Sequence, residues 1–322
     1  MIRLLFALLL LAQGGMVSAH AQFPDKPVRL VIPFTPGGTN DIIGRLVTEG
    51  MGRRLGQNFI IENRGGAGGM LGADIVAKAA PDGYTILLGG SGSLTISSLV
   101  HRHVPFDVAT AFAPIGLMAV GPNVVVVHPS VPVHSLRELQ AFARAARPPL
   151  SYASPGVGST GHAAGVMILQ ALGVEMEHIP YRGTAPALTD VMAGRIPVFT
   201  NALAPMQPYI EAGRLRALAI AGTRRSPAMP DLPTTAEAGF PQIQAATWFG
   251  LLATGGSPPD RIARLHAALN ATLADPEVRR KLEESGSEVE ASDSPAAFSR
   301  YFAEDRARWA AVIDRAGMRG QE

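Results

Sequence analysis

The sequence contains no cysteine among its 322 residues. It therefore forms no disulfide and lacks the lipid-modified cysteine of an anchored lipoprotein. Aromatic residues make up only 6% of the chain, and they do not alternate with basic positions as they do on a platform for single-stranded nucleic acid. The formal net charge is +2, and no basic stretch is dense. We therefore expect no nucleic-acid partner.

The beginning of the chain has the pattern of a secretory signal peptide. A positive start at Met1-Ile2-Arg3 is followed by the apolar run Leu4 to Leu11 and by the small-residue cleavage pattern Ala19-His20-Ala21. The apolar run is shorter than the roughly 20 residues that span a bilayer. We expect a signal peptide at residues 1–21, cleavage after Ala21, and a mature protein in the periplasm.

Strand-sized apolar segments alternate with helix-sized segments along the rest of the chain. The first strand is expected at Val28 to Phe34 and the first helix from about Asn40 to Leu55. This alternation is typical of an α/β fold, in which parallel-rich sheets are flanked by helices. The roughly 300 residues that remain after the leader are enough for two domains.

Two segments are expected to cross between these domains. The first lies at Gly121-Pro122-Asn123, after which the pattern of strands and helices starts again, and the second is Thr247 to Ala253. We therefore expect one lobe at residues 22–122 plus 248–322 and a second lobe at residues 123–247, joined by a two-strand hinge. In such sheets, ligands bind at the carboxyl ends of the strands, so the cleft between the lobes is the expected binding site.

A glycine-rich turn follows an apolar strand in each predicted lobe. The first turn lies in FPDKPVRLVIPFTPGGTND, from Phe23 to Asp41, and the second runs from Ala153 to His162. Such a turn presents backbone N–H groups at a helix N-terminus, where an anion can be held without a charged side chain. Glycine permits close backbone approach and positive φ, and the neighbouring hydroxyls add donors. The sequence thus predicts a ligand held from both lobes.

Seven segments, in order along the chain, are similar to those of one known family. They are FPDKPVRLVIPFTPGGTND, IIENRGGAGGMLGADIVAKAAPDGYTILLG, SYASPGVGSTGHAAG, HIPYRGTAPALTDVMAGRI, AGRLRALAIAG, RSPAMPDLPTTAEAGF and WFGLLATGGSPPDRIARL. On these segments the chain is identified as a member of the tripartite tricarboxylate transporter receptor family, also called Bug proteins. Members of this family are extracytoplasmic solute-binding receptors.

The resemblance implies a type II-like, two-lobed periplasmic binding protein fold that closes on its ligand. It also implies that the ligand is a small organic anion, a mono- or dicarboxylate, and that the receptor passes it to the membrane subunits of a secondary transporter. We expect a monomer that is not an enzyme and has no cofactor, no metal and no catalytic residues.

The family resemblance also suggests which residues contact the ligand. The two turns resemble the loops that pinch a carboxylate, partly through ordered water, and the loop after Tyr84 to Leu88 is expected to form a third wall. Asn201 lies where the family often has an Asp-Asn pair, but here Thr200 precedes it, which favours a ligand without an amino group. The expected contacts are Phe34, Thr35, Gly37, Gly38, Thr39, Asn40, Ser91, Ser93, Ser154, Gly156, Gly158, Ser159, Thr160, His162 and Asn201.

Other functions remain open on the sequence alone. The segment Gly156 to Gly161 satisfies the dinucleotide pattern G-x-G-x-x-G, which would suit an NAD(P)-dependent or other exported enzyme. The chain has no P-loop lysine and no G-x-S-x-G elbow. His101 and His103 form a pair without a third metal ligand at suitable spacing. A ligand sensor that signals to a membrane partner would need the same closure as a transport receptor.

Overall fold

The computed structural model describes residues 23–320, so the expected signal peptide and its cleavage site lie outside the described residues. The strands are β1 (Val28–Ile32), β2 (Phe59–Asn63), β3 (Thr85–Gly90), β4 (Phe112–Val127), β5 (Ser151–Ser154), β6 (Glu177–Pro180), β7 (Val198–Ala202), β8 (Arg216–Ile220), β9 (Ala246–Thr254) and β10 (Glu288–Val289). The α-helices are α1 (Thr39–Leu55), α2 (Met70–Ala77), α3 (Ser97–Val100), α4 (Leu136–Ala145), α5 (Thr160–Leu172), α6 (Thr184–Met192), α7 (Gln207–Glu211), α8 (Pro259–Leu273), α9 (Pro276–Glu284) and α10 (Pro295–Ala316). A 3₁₀ turn covers Ala67–Gly69, and a π-helical turn covers Ser91–Ile96.

The strands form two mixed sheets, one in each lobe. In the first sheet, β1 lies between β2 and β3 and is parallel to both, while β9, β4 and β10 add antiparallel pairs. In the second sheet, β5 is parallel to β6 and β7, and the last part of β4 pairs antiparallel with β7 and β8. The predicted two-lobed α/β fold with flanking helices is therefore confirmed.

Strand β4 belongs to both sheets. Its residues Phe112 to Pro122 pair with β9, and its residues Asn123 to Val127 pair with β7. The sequence predicts the first crossing at Gly121-Pro122-Asn123, and in the structure one continuous strand runs through these residues. Pro122 lacks an N–H, yet its carbonyl still accepts a hydrogen bond from the Leu203 amide at 2.9 Å. The strand can continue through Pro122 because the hydrogen bond at this position uses the proline carbonyl and not an N–H.

The chain returns to the first sheet beside this point. The Asn123 amide donates to the Ala245 carbonyl at 3.1 Å, and β9 begins at the next residue, Ala246. Two neighbouring strand segments thus connect the sheets. The exact lobe boundaries at residues 122/123 and 247/248 stay a prediction.

Each lobe has a buried core cluster, and a further cluster joins residues of both, such as Trp309 of the first and Ile168 of the second. Ile32 and Val47 lie in a core cluster of the first lobe, and Val126 and Phe199 lie in one of the second. Within the described residues, no helix combines the length and the apolar character that crossing a bilayer requires.

Candidate ligand-binding cleft

A cavity lies between the two lobes, where β1, β3, β5 and β7 end. Its walls lie close together, and the cavity volume is about 30 Å³. The lining residues are Phe34, Gly38, Thr39, Asn40, Gly90, Gly92, Ser93, Pro155, Ser159, Thr160, Gly161, Thr184, Asn201, Ala202, Thr247 and Phe249.

The first wall is the turn between β1 and α1. Gly37 has a φ of +79°, which glycine adopts without strain, and its amide donates to Asp41 Oδ2 at 3.0 Å. Gly38 is extended and caps the helix, so α1 begins at Thr39. The carboxylate of Asp41, four residues after Gly37, therefore fixes the turn that precedes its own helix.

The second wall is the turn between β5 and α5, and it repeats this geometry. Gly158 has a φ of +77°, and its amide donates to His162 Nδ1 at 3.3 Å. Ser159 is extended and caps the helix, so α5 begins at Thr160. In both lobes a left-handed glycine is thus bonded to the side chain four residues later.

This repeated geometry places one threonine at the first position of each helix. The hydroxyls of Thr39 and Thr160 are buried, and neither has a hydrogen-bond partner within the described part of the chain. Both residues line the same cavity. A buried hydroxyl without a partner costs about 1–3 kcal/mol, and helix N-termini carry free N–H groups and partial positive charge. Such an arrangement can hold an anion between the two helix ends.

The carboxyl group of Asp41, behind the first turn, is held in its ionised form. Burial opposes ionisation of Asp41, but hydrogen bonds from Arg45, the Gly37 amide and Asn63 outweigh it and lower the pKa of this carboxyl. Asn63 also donates to the Phe34 carbonyl at 3.1 Å. Asp41 is therefore ionised at neutral pH, and its charge is compensated outside the cavity.

A stacked histidine pair supports the second turn. The rings of His162 and His178 are 4.2 Å apart, and Tyr152 stacks on the other side of His178 at 4.8 Å. Burial, and next the charge of His178, lower the pKa of His162 to about 3. Burial lowers the pKa of His178 to about 4. Both rings are therefore neutral at pH 7, which leaves His162 Nδ1 free to accept the Gly158 N–H.

The remaining polar lining comes from neutral side chains. Asn201 Nδ2 donates to Thr184 Oγ1 at 2.8 Å, and the Ser93 hydroxyl accepts a hydrogen bond from the Gly90 amide at 3.2 Å. Thr200, just outside the lining, donates to the Gly161 carbonyl at 2.5 Å. Among the described residues, no group of three or more potential ligands could hold a metal ion.

The structure places about half of the expected contacts on the cavity wall. Those that line it are Phe34, Gly38, Thr39, Asn40, Ser93, Ser159, Thr160 and Asn201. Those that do not are Thr35, Gly37, Ser91, Ser154, Gly156, Gly158 and His162.

Three of these residues have other hydrogen-bond partners in the structure. Ser91 was expected on a third wall, but its hydroxyl accepts a hydrogen bond from the Trp248 amide at 3.1 Å. The amides of Gly156 and Gly158 were expected to hold the anion, but they donate to Ser154 Oγ and to His162 Nδ1. The remaining donors of this turn are the N–H groups at the start of α5. The turn glycines therefore shape the turn, and the N–H groups at the helix end are the ones that remain available.

Sequence reasoning missed several lining residues, of which Thr184, Thr247 and Phe249 are the largest. Thr184 begins α6 directly after Gly183, whose φ is +152°. A third glycine followed by a helix start in the segment HIPYRGTAPALTDVMAGRI was the available signal. Thr247 and Phe249 lie on the predicted crossing segment, whose side chains were not assigned to the cleft.

The lobes also contact each other beside the cavity. Ser97 Oγ lies 3.2 Å from the Gly158 carbonyl, and His101 Nε2 lies 3.3 Å from the Val157 carbonyl. A Cβ placed on Gly92 would be 3.3 Å from the Thr160 amide nitrogen. The structure therefore has the lobes closed, and small residues permit their approach.

The sequence model of the tripartite tricarboxylate transporter family receptor matches residues 43–318. The chain belongs to this family. The solved structure of the periplasmic binding protein BugD is 33% identical in sequence, with a TM-score of 0.89 over 93% of this chain and 100% of BugD. An R. palustris protein solved with adipate is 37% identical, with a TM-score of 0.89 over 93% of this chain and 100% of its own. MatC from Rhodopseudomonas palustris, solved with bound malate, is 32% identical, with a TM-score of 0.87 over 90% of this chain and 100% of MatC.

Proposed function

We propose that this receptor-family member binds a small organic carboxylate, a mono- or dicarboxylate, in the cleft between its lobes. The observation that carries this proposal is the pair of helix N-termini, one from each lobe, whose buried Thr39 and Thr160 hydroxyls have no hydrogen-bond partner among residues 23–320. A carboxylate has acceptor sites for donors on both sides. Binding it satisfies both hydroxyls and compensates the partial charges of both helices.

Energetics and relatives support this ligand class. Hydrogen bonds to a charged group contribute about 1.5–3 kcal/mol each, so a few of them account for the roughly 8 kcal/mol of micromolar binding. Two similar proteins were solved with adipate and with malate, both carboxylates. We propose that the cavity-lining residues of the two turns, with Ser93 and Asn201, contact the ligand.

The proposed mechanism is closure of two lobes about a two-strand hinge. We place the lobes at residues 22–122 plus 248–322 and at residues 123–247, because β4 changes partners at Asn123 and β9 begins at Ala246. A ligand that contacts both lobes binds the closed form more tightly and shifts the population towards it. The closed receptor would act as an exported periplasmic monomer and deliver its ligand to the membrane subunits of a secondary transporter.

A dinucleotide-dependent enzyme has weaker support. The G-x-G-x-x-G turn would need its glycine amides for a pyrophosphate, but those of Gly156 and Gly158 are bonded to Ser154 and His162. BugD, which is similar to this chain, is a periplasmic binding protein. We therefore propose a binding protein without a catalytic role.

A thermal-shift screen of the purified protein tests this proposal. The ligands are carboxylates, amino acids, sugars and nicotinamide nucleotides, and each hit is followed by calorimetry. A ligand at a hundred times its Kd adds about 2.7 kcal/mol, which raises Tm by several degrees. We expect a shift with one or more carboxylates. A shift with nucleotides alone would contradict the receptor proposal and support the enzyme.

A further inference from the structure

A second cavity lies between the lobes, beside the inner cavity at the N-termini of α1 and α5. The volume of this outer cavity is about 230 Å³, against about 30 Å³ for the inner one. Because roughly 10–15 Å³ is enough for one water, the outer cavity has room for a small anion with its water. Phe34 and Pro155 line both cavities, so a ligand that moves from the outer to the inner cavity passes these two residues.

The lining of the outer cavity includes one arginine and no acidic residue. Arg182 directly precedes Gly183 at the start of α6, and its side chain is exposed. Among residues 23–320, the guanidinium has no ion-pair partner and no hydrogen bond. The acid of the following helix, Asp190, accepts hydrogen bonds from Tyr181 and Arg195 instead. The charge of Arg182 is therefore available to an anion that arrives from solvent.

The first lobe does not neutralise this charge either. Its closest approach to Arg182 is at Gly65, where a Cβ would lie 2.9 Å from the Arg182 carbonyl. Glu62, three residues before this glycine, accepts hydrogen bonds from Arg29 and Arg64. Because the nearby carboxylates of both lobes have basic partners of their own, the outer cavity keeps a net positive charge.

The wall that the first lobe contributes is the glycine-rich turn before α2. Gly68 lies in this turn with a φ of +61°, and its amide has no hydrogen-bond acceptor among residues 23–320. A Cβ on Gly156 of the second lobe would lie 3.8 Å from this amide nitrogen, so the nitrogen faces the other lobe. A free N–H and a guanidinium are both donors that a carboxylate accepts. The outer cavity thus offers an anion one donor from each lobe.

We propose that the outer cavity is an anion-docking site on the route into the cleft, where Arg182 captures a carboxylate before the lobes close. This inference rests on the proposed carboxylate-binding function and adds the path by which the ligand enters. An uncompensated charge at the rim of a cleft raises the local concentration of counter-ions and the association rate. Because Arg182 does not line the inner cavity, it acts on the rates of binding and release more than on the affinity.

Stopped-flow fluorescence and calorimetry together test this role. Trp248 lies between the lining residues Thr247 and Phe249 and reports ligand arrival. The probe is whichever of succinate, malate and adipate binds most tightly in calorimetry. We expect Arg182→Gln to lower the association rate constant at least threefold in 10 mM salt, with Kd changed less than twofold. The deficit should vanish in 1 M salt, since the Debye length falls from about 30 Å to about 3 Å.

Two further variants separate charge from structure. Arg182→Lys keeps the charge and should keep most of the association rate. Arg214→Gln is the control, because Arg214 is an exposed arginine of the second lobe that lines neither cavity. It should bind at the natural rate.

Three results would decide against the docking site. Unchanged rate constants in Arg182→Gln would overturn it. A faster dissociation with an unchanged association rate would also overturn it, because Arg182 would then contact the bound ligand. An equal loss of association rate in Arg214→Gln would show a general effect of net charge. Failure of every screened carboxylate to bind the natural sequence would instead contradict the proposed function itself.

Discussion

At the scale of single residues, Thr39 and Thr160 have the same environment in different lobes. Each begins a helix, lines the cavity and has a buried hydroxyl without a partner in the described structure. Such a hydroxyl lowers stability when the cavity is empty and raises affinity when an acceptor is present. Replacement by the isosteric valine separates the two effects.

Thr39→Val and Thr160→Val should each weaken carboxylate binding about tenfold or more, because each loses one hydrogen bond to a charged group, worth about 1.5–3 kcal/mol. The ligand-free Tm should stay the same or rise, since an unpartnered buried hydroxyl is removed. Calorimetry and thermal denaturation measure the two quantities. Thr189→Val is the control, because that residue is exposed and its hydroxyl bonds the Ala185 carbonyl. Unchanged affinity in both cavity variants would contradict the assigned anion site.

At the scale of the elements, the two strand–turn–helix units use different side chains to accept the hydrogen bond of the turn glycine amide. Asp41 fixes Gly37 and His162 fixes Gly158, in each case through the glycine amide. A histidine can perform this task only while its Nδ1 is unprotonated. Burial ensures this by lowering the pKa of His162 to about 3.

This depressed pKa makes stability depend on pH. Unfolded histidine takes up a proton below its ordinary pKa of about 6.5, whereas folded His162 does so only near 3. The free energy of unfolding is therefore largest above pH 6.5, and the contribution of His162 is lost as the pH falls from 6.5 towards 3. The neighbouring His178, with a pKa of about 4, acts in the same direction.

His162→Asn should keep an acceptor for Gly158 and remove the titration. We expect the decrease in Tm between pH 7 and pH 4.5 to be smaller than in the natural sequence, with ligand affinity at pH 7 largely retained. His162→Ala should lose affinity at every pH because the Gly158 amide loses its acceptor. His134→Asn serves as the control, since His134 is exposed. Parallel pH profiles for the natural sequence and His162→Asn would contradict this role.

The sequence allowed both turns and both helices to be placed, because a glycine pair or a G-x-G pattern after an apolar strand is a local signal. It could not show which amides stay free. The answer depends on two hydrogen bonds, from the Gly37 amide to Asp41 and from the Gly158 amide to His162. The sequence alone does not determine which acceptor each amide finds. Helix α9 was also not anticipated, since its buried residues are only Val278 and Leu282.

At the scale of the whole molecule, the lobes share an apolar cluster that includes Trp309 and Ile168, and beside the cavity they meet at small residues. Gly92 lies in the first lobe, and a Cβ there would be 3.3 Å from the Thr160 amide nitrogen in the second. Gly68 is packed even more closely, since a Cβ there would be 2.4 Å from the Val157 carbonyl. Sequence could not reveal these contacts because they join segments far apart in the chain.

Gly92→Ala should hinder closure without straining its own lobe, because the backbone of Gly92 does not have positive φ. We expect carboxylate affinity to fall about tenfold, or about 1.4 kcal/mol, with little change in the ligand-free Tm. Small-angle scattering should show a smaller ligand-induced decrease in the radius of gyration than in the natural sequence. Gly222→Ala is the control, since its Cβ would meet nothing within 4 Å. Normal closure and affinity in Gly92→Ala would contradict the closed geometry.

The most direct measurement is a crystal structure of the protein with a bound carboxylate identified by the screen. We predict that one carboxylate group lies between the N-termini of α1 and α5, within hydrogen-bond distance of the Thr39 and Thr160 hydroxyls or joined to them by a single water. Both lobes should contact the ligand. A carboxylate bound outside this cavity, or held by one lobe alone, would contradict the proposal that two matched helix ends form the binding site.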